Sequence, residues 1–233
     1  MLCNSNLFPL EYRAEDKFIC GEYDIQLLQN RLSTVMKPDD NGEKYLVRSL
    51  YFDDLRASAL CDTLAGTDER VKYRIRTYNG DNSLIKLEAK EKKRGFTRKQ
   101  SSNISFETAK KLILGEFIPI SNDNPDVLNR FLIETRLALM KPRIIVEYER
   151  QAFVNEAGNV RITFDRSVSS ANVEQFWNSD ICSHSPISEP LNITEIKYDG
   201  VLPSHIRRLC ENGHMRRTSF SKYAICAAGA IDL

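Results

Sequence analysis

The chain has 233 residues, 42% of them hydrophobic and 28% charged, enough for one domain with a substantial core. With 33 basic and 32 acidic side chains the net charge is +1, so the broad basic excess of a duplex-wrapping protein is absent and no nucleic-acid partner is expected. Six scattered cysteines without a C-x-x-C read as reduced thiols of a cytoplasmic protein, and the three histidines lack zinc spacing. No apolar run reaches the roughly 20 residues of a membrane-spanning helix.

In chain order, residues 12–19 alternate Arg13, Glu15 and Lys17 against Tyr12, Ala14 and Phe18. Period-two alternation marks a strand with one buried face. Residues 23–36 space Ile25, Leu28, Leu32 and Val35 as a helix does. A strand through Tyr51 and Phe52 precedes a helix over 53–64 that ends before Gly66. Residues 71–78 set Lys72, Arg74 and Arg76 against Val71, Tyr73 and Ile75, and residues 84–92 set Lys86, Glu88, Lys90 and Lys92 against Ile85, Leu87 and Ala89. Asn79-Gly80 between them predicts a hairpin. Arg94-Gly95 turns the chain into a strand over 96–102. Helices follow at 105–114 and 125–140.

A strand at 144–154 turns at Ala157-Gly158-Asn159 into another at 160–165, where Arg161, Thr163 and Asp165 alternate with Val160, Ile162 and Phe164. Residues 172–190 carry little pattern and are expected to form a loop near the mouth of a tunnel, with Trp177 a packing residue. Residues 193–198 set Glu195 and Lys197 against Ile196 and Tyr198, and short helices close the chain at 203–211 and 221–230. Residues 223–231 are too short to span a membrane and read as part of a packed helix. Without a repeat or a linker, residues 1–233 are expected to form one domain.

The charged faces admit two readings. One is a sheet with a solvated face, on which Lys and Glu alternate for pairing and solubility. The other is a closed barrel with charges inside and helices outside. Periodicity alone does not choose. Recurrent arginine (Arg13, Arg74, Arg76, Arg150, Arg161) favours the second, because its planar fork of donors suits phosphate oxygens. Glutamates among the cations would supply oxygen ligands for Mg2+ or Mn2+. No Ser-His-Asp or Cys-His arrangement is evident.

Ser49-Leu50-Tyr51-Phe52-Asp53, Lys72-Tyr73-Arg74-Ile75-Arg76 and Leu87-Glu88-Ala89-Lys90 occur in order along the chain. They are followed by Tyr148-Glu149-Arg150, Arg161-Ile162-Thr163-Phe164-Asp165, Glu195-Ile196-Lys197 and Ser221-Lys222-Tyr223. Together with Glu15-Asp16-Lys17 this set resembles the VTC domain, the polyphosphate polymerase domain of the CYTH-like triphosphate tunnel superfamily. The resemblance implies an α+β fold, an antiparallel β-barrel tunnel surrounded by helices. It implies that Lys17, Arg74, Arg76, Lys90, Lys99, Arg150, Arg161 and Lys222 point at phosphate, that Tyr148 shapes the tunnel, and that Glu195 binds Mn2+ or Mg2+. Glu15 and Glu88 are weaker metal candidates, since each could simply neutralise neighbouring cations.

The implied activity is phosphoryl transfer from ATP to a growing polyphosphate chain, with Arg74, Arg76, Arg150, Arg161 and Glu195 as its catalytic residues. Inorganic or nucleoside triphosphate hydrolysis and non-catalytic polyphosphate or nucleotide sensing are the alternatives. One departure stands out. Many relatives open with Glu-x-Glu-x-Lys, whereas Arg13 stands here at the first glutamate, which suits a longer polyanion. The resemblance further suggests an isolated bacterial catalytic module without an SPX domain, brought to the inner face of a membrane by an integral-membrane partner.

Overall fold

The structure, a computed structural model, describes residues 13–186, 192–211 and 215–229. Strand β1 (Ala14–Ile19) leads to helix α1 (Glu22–Leu32), the short β2 (Lys37–Pro38), β3 (Tyr45–Asp53) and α2 (Ser58–Ala65). Strands β4 (Arg70–Tyr78), β5 (Asp81–Lys93) and β6 (Phe96–Ile104) form a meander, followed by α3 (Phe106–Leu114) and α4 (Asp126–Ala138). Strands β7 (Lys141–Asn155), β8 (Val160–Ala171) and β9 (Ile193–Tyr198) come next, then α5 (Ser204–Cys210), β10 (Arg216–Arg217) and α6 (Lys222–Gly229).

All described strands belong to one antiparallel sheet in the order β10-β1-β9-β8-β7-β3-β4-β5-β6, with β2 on β7. The β4–β5 turn has positive φ at both Asn79 and Gly80, the left-handed pair that a tight hairpin with right-twisted strands requires. Arg94 and Gly95 repeat this geometry between β5 and β6. The sheet rolls until its ends approach, and the Arg13 amide donates to the Thr97 carbonyl at 3.2 Å. No continuous ladder joins the ends, so the expected barrel is an open, rolled sheet. At one end of β1 the free edge, at Phe18 and Ile19, is taken by β10.

Alternation delivers the two faces to different neighbours. On one outer flank Leu50, Phe52, Tyr73, Ile75 and Leu87 pack under α3 and α4 against Val127, Leu128 and Phe131. On the other, Phe153, Ile162, Phe164 and Ile196 pack against Ile25, Leu28 and Leu32 of α1 and Ile206 of α5. The inner face is apolar only at one end, where Ile144, Val146, Val168 and Ile193 meet Tyr223, Ala224, Cys226 and Ala227 of α6.

Strand β8 runs on to Ala171, six residues past the sequence reading, and three other departures bear on the packing. Asp53 ends β3 rather than opening a helix: its buried carboxylate accepts the amides of Ala59 at 2.9 Å and Leu60 at 3.1 Å and so fixes the first turn of α2. Helix α1 stops at Leu32, and Met36 reaches the core from the following turn. Residues 172–186 do not border the tunnel. Phe176 and Trp177 pack in the α3–α4 layer, and Arg48 holds the segment by donating to the carbonyls of Phe176 and Asn178 at 3.1 and 2.6 Å. The rest of that stretch, 187–190, and residues 230–231 of the closing helix lie outside the described residues, as do Tyr12, Cys3 and His214.

Candidate functional site, a cationic tunnel

The charged inner face encloses a cavity of about 520 Å³. Its walls come from β1 (Glu15, Lys17), β4 (Arg70, Lys72, Arg74, Arg76), β5 (Lys90, Lys92), β7 (Tyr148, Arg150) and β9 (Glu195, Lys197). The segment from Arg217 to Tyr223 covers one side, bringing Lys222 at the start of α6. Eleven Lys and Arg side chains face this space against two carboxylates, Glu15 and Glu195. A chain almost neutral overall therefore concentrates positive charge in one concave place, which focuses the field on an anion.

Two carboxylates behind the wall make that density tolerable. Glu88 is fully buried and holds Arg74 through Nε at 2.7 Å and Nη2 at 2.6 Å, with Lys99 at 3.1 Å and Arg76 at 3.8 Å. Burial alone would raise its pKa, but Arg74, Arg76 and Lys99 keep it well below the usual carboxylate range. Asp165 is fully buried too and takes Arg150 in a bidentate pair at 2.6 and 2.7 Å, with the Lys222 ammonium 2.6 Å away. Lys222 also donates to Glu195 at 2.8 Å.

The lining carboxylates share cations. Lys17 lies 3.9 Å from Glu15 and 4.0 Å from Glu195, and Lys197 lies 3.5 Å and 3.1 Å from them. Lys90 reaches across the tunnel to Glu15 at 3.0 Å. Burial opposes ionisation of both glutamates, yet the surrounding lysines hold them anionic, well below the ordinary value. Burial drives Lys72 and Lys90 the other way, down to about 7, aided by neighbouring cations. A bound polyanion would reverse that cost.

The covering segment hangs on the same lysines. Lys17 donates to the Phe220 carbonyl at 3.2 Å, Lys72 to the Ser221 hydroxyl at 3.0 Å, and the Thr218 amide to the Lys17 carbonyl at 2.9 Å. Tyr51 and Tyr223 stack with centroids 4.9 Å apart at the cavity wall, and Tyr51 accepts from Arg74 at 2.8 Å. The Tyr148 hydroxyl accepts from Arg76 at 3.0 Å, and its ring lies 5.0 Å from the Arg150 guanidinium and 5.1 Å from the Lys222 ammonium.

Of the residues singled out in the sequence, the structure brings Lys17, Arg74, Arg76, Lys90, Tyr148, Arg150, Lys222, Glu15 and Glu195 to this cavity. Lys99, half exposed, pairs with the buried Glu88, and neither lines the cavity. Arg161 is placed elsewhere, paired with Asp39 and donating to Tyr45 Oη at 3.1 Å, at the edge of a second, shallower depression. Lys72, Lys92 and Lys197, which the sequence sets on the charged faces but not among the phosphate-binding residues, also line the cavity, as does Arg70; strand parity with Arg74, Lys90 and Glu195 is the signal that finds them. Arg217, on the two-residue β10, and Ser221, just ahead of α6, come from elements too short to carry a periodic signal.

Among the described residues no group of three or more His, Cys, Asp or Glu side chains could cage a metal unaided. Glu15 and Glu195 on adjacent strands offer two carboxylates to the cavity, a donor set that suits Mg2+ or Mn2+ completed by phosphate oxygens and water. The buried Thr163 hydroxyl, opposite Glu195 in register, has no hydrogen-bond partner.

The fold is shared with known proteins. An adenylyl-cyclase candidate from Hippeastrum, described with a dominant triphosphatase activity, matches 93% of this chain and 96% of its own at TM-score 0.58 and 15% identity. An adenylate-cyclase candidate from Bacillus halodurans matches 85% of this chain and 86% of its own at TM-score 0.53 and 13% identity. Comparison with curated proteins gives no match. These likenesses establish the triphosphate tunnel architecture, an α+β fold built on one antiparallel sheet. The family assignment comes from the sequence itself: residues 12–230 match the VTC domain, and the chain belongs to that family.

Proposed function

We propose that the cavity binds the triphosphate of ATP and transfers its γ-phosphoryl group to the end of an inorganic polyphosphate chain. The observation that carries this reading is the eleven-to-two excess of cations over carboxylates in one enclosed space. A terminal phosphate oxygen of the acceptor forms the new P–O bond as the bond to the β-phosphate oxygen breaks, and ADP leaves with that electron pair. Such chemistry needs positioning and charge stabilisation more than a protein nucleophile.

Arg74, Arg76 and Arg150 present guanidinium forks already aimed by Glu88 and Asp165, so little reorganisation accompanies binding. Lys17, Lys72, Lys90 and Lys222 supply point charges along the polyanion, and Tyr148 fixes the rims of Arg76 and Arg150. Glu195, with Glu15, would hold Mg2+ or Mn2+. The ion supplies Lewis-acid neutralisation of phosphate oxygens when bound. Glu88 does not suit this role, because its oxygens are already committed to Arg74 and Lys99. Arg161 and Lys99, tied to Asp39 and Glu88, act at most from the margin of the cavity.

A second reading is hydrolysis of a triphosphate, with water as acceptor. It is favoured by the apolar packing of α6 against Ile144, Val146 and Ile193, which stops the charged part of the inner face at that end. No helix among the described residues is long and apolar enough to cross a membrane, and an integral-membrane partner at the inner face of the membrane is part of this proposal. Incubation with ATP and Mn2+ or Mg2+, followed by resolution of polyphosphate from orthophosphate, tests the proposal. Chains destroyed by a polyphosphatase support the polymerase. Orthophosphate alone replaces it with the triphosphatase, and triphosphate binding without turnover under every divalent metal replaces both with a sensor.

A further inference from the structure

We infer that Asp165 is a positioning residue that keeps Lys222 from capturing Glu195, and so leaves Glu195 free to take a divalent cation together with the triphosphate. The inference rests on the triphosphate-binding reading above and goes beyond it, since Asp165 does not line the cavity.

The Lys222 ammonium sits between two carboxylates, 2.6 Å from Asp165 and 2.8 Å from Glu195. Lys222 comes from the first residue of α6, Asp165 from β8 and Glu195 from β9, so three elements meet at one nitrogen. Asp165 is gripped by a planar guanidinium fork: Oδ1 accepts from Arg150 Nε at 2.6 Å, and Oδ2 accepts from Arg150 Nη2 at 2.7 Å with Lys222 2.6 Å away. This arrangement is rigid and dry, because Asp165 has no exposed surface. Glu195, by contrast, contacts only flexible lysine heads, namely Lys222, Lys197 at 3.1 Å and Lys17 at 4.0 Å. A lysine can release a carboxylate by a rotamer change and move to phosphate. Asp165 gives Lys222 a second anchor, so that the Glu195 oxygens are shared rather than consumed.

Removing only the charge of Asp165 should therefore split two affinities that a general structural defect would lower together. In Asp165→Asn one acceptor oxygen and no charge remain, and the amide NH2 becomes a donor facing a cation, so the three contacts of the carboxylate cannot all be kept and the hold on Lys222 weakens. Lys222 then closes on Glu195, and the cavity gains one positive charge. Metal-free tripolyphosphate should bind at least as tightly as to the wild type. The further gain in affinity given by Mn2+ should fall by about tenfold, the lower end of what loss of an outer-shell partner costs.

The experiment is calorimetric titration of wild type, Asp165→Asn and Asp165→Glu with tripolyphosphate, once in EDTA and once in excess Mn2+, with circular dichroism to confirm folding. Retained EDTA affinity with a diminished Mn2+ gain in the asparagine variant, restored in part by glutamate, supports the assignment. Equal losses in both titrations, or a Mn2+ gain equal to wild type, overturn it. Failure of the wild-type protein to bind tripolyphosphate in either condition overturns the triphosphate reading and this assignment with it. Should Asp165→Asn not fold, Lys222→Met reads the same competition from the other side. It frees Glu195 outright and should preserve or increase the Mn2+ gain while weakening EDTA binding, and a lost gain there refutes the competition.

Discussion

Affinity for tripolyphosphate should fall as the pH rises above about 7, against the titration of the ligand itself. Burial holds Lys72 and Lys90 down to about 7, aided by Lys90 and Lys17 at Lys72 and by Lys17 and Lys197 at Lys90, whereas a phosphate placed between them would restore protonation. Each lysine that must take up a proton on binding costs affinity by about tenfold between roughly pH 6 and pH 8, so the pair costs about a hundredfold. The ligand's terminal phosphates lose their last protons near about pH 6 and by themselves would strengthen binding as pH rises. The decline above 7 therefore reports the protein. Calorimetry in two buffers of different ionisation enthalpy should show net proton uptake at pH 8, and Lys72→Met should remove about half of the logarithmic slope. Flat affinity from pH 7 to 9, with a heat of binding independent of buffer, would refute the placement of these ammonium groups on the ligand. The same shifts bear on stability. Lysines depressed in the fold bind fewer protons than in the unfolded chain between about 7 and their ordinary value of 10.5, so the ligand-free protein should gain stability as pH rises from 7 toward 9.

Three substitutions probe the rest of the wall. Glu88→Gln strands Arg74, Arg76 and Lys99 around a neutral group; breaking such a buried pair costs about 3–5 kcal/mol, and thermal unfolding should move down accordingly. Tripolyphosphate at about 100 times its Kd should return about 2.7 kcal/mol, and an unchanged melting temperature without ligand would show that Glu88 is not the counter-ion described. Arg74→Ala removes a two-bonded guanidinium from the cavity and should weaken triphosphate binding by at least about tenfold, a charge-assisted bond being worth about 1.5–3 kcal/mol; unchanged calorimetric affinity would place the ligand elsewhere. Glu195→Gln should leave the melting temperature close to wild type in the presence of ligand and reduce metal-dependent turnover, whereas full rate with unaltered metal dependence would remove Glu195 from the mechanism.

Strand parity carried most of what was legible. Once Arg74 and Arg76 are assigned to one face, Lys72 and Arg70 follow on the same strand, and the structure lines the cavity with all four. The β4–β5 hairpin was readable from Asn79-Gly80 because both positions need positive φ. Parity gives the face, not the height along it. Arg161 and Asp165 share a face of β8, yet four residues of rise carry Arg161 to Asp39 at the rim and leave Asp165 beneath Arg150. Tertiary register decided that difference, and no local pattern encodes it. Lys99 illustrates a second limit. It stands opposite Lys90 in the ladder, but Glu88 on the neighbouring strand draws its ammonium away from the cavity. The cover is legible only at its end, through the run Ser221-Lys222-Tyr223; Arg217 sits on a strand of two residues and 218–220 are irregular, so no periodic pattern marks them.

The cationic tunnel needs counter-charges within the fold. Eleven like charges around about 520 Å³ would repel one another in an empty fold, and solvent reaches them too little to screen the repulsion fully. The chain answers with two kinds of carboxylate. Glu88 and Asp165 lie behind the wall, fully buried, with short bonds to arginines that they aim inward; their charge is permanent and cannot be displaced by ligand. Glu15 and Glu195 lie within the wall and are held by lysines, whose flexible stems allow them to change partners. The first pair makes the apo protein stable enough to keep its arginines preorganised. The second pair occupies the lysines until a polyanion arrives, and then becomes available to a divalent cation that offsets the repulsion between carboxylate and phosphate. On this division, neutralising Glu88, which touches no lining carboxylate's partner, should be felt first in stability, and neutralising Glu195 first in metal dependence. The Glu88→Gln and Glu195→Gln comparison is therefore a test of the division as well as of either residue.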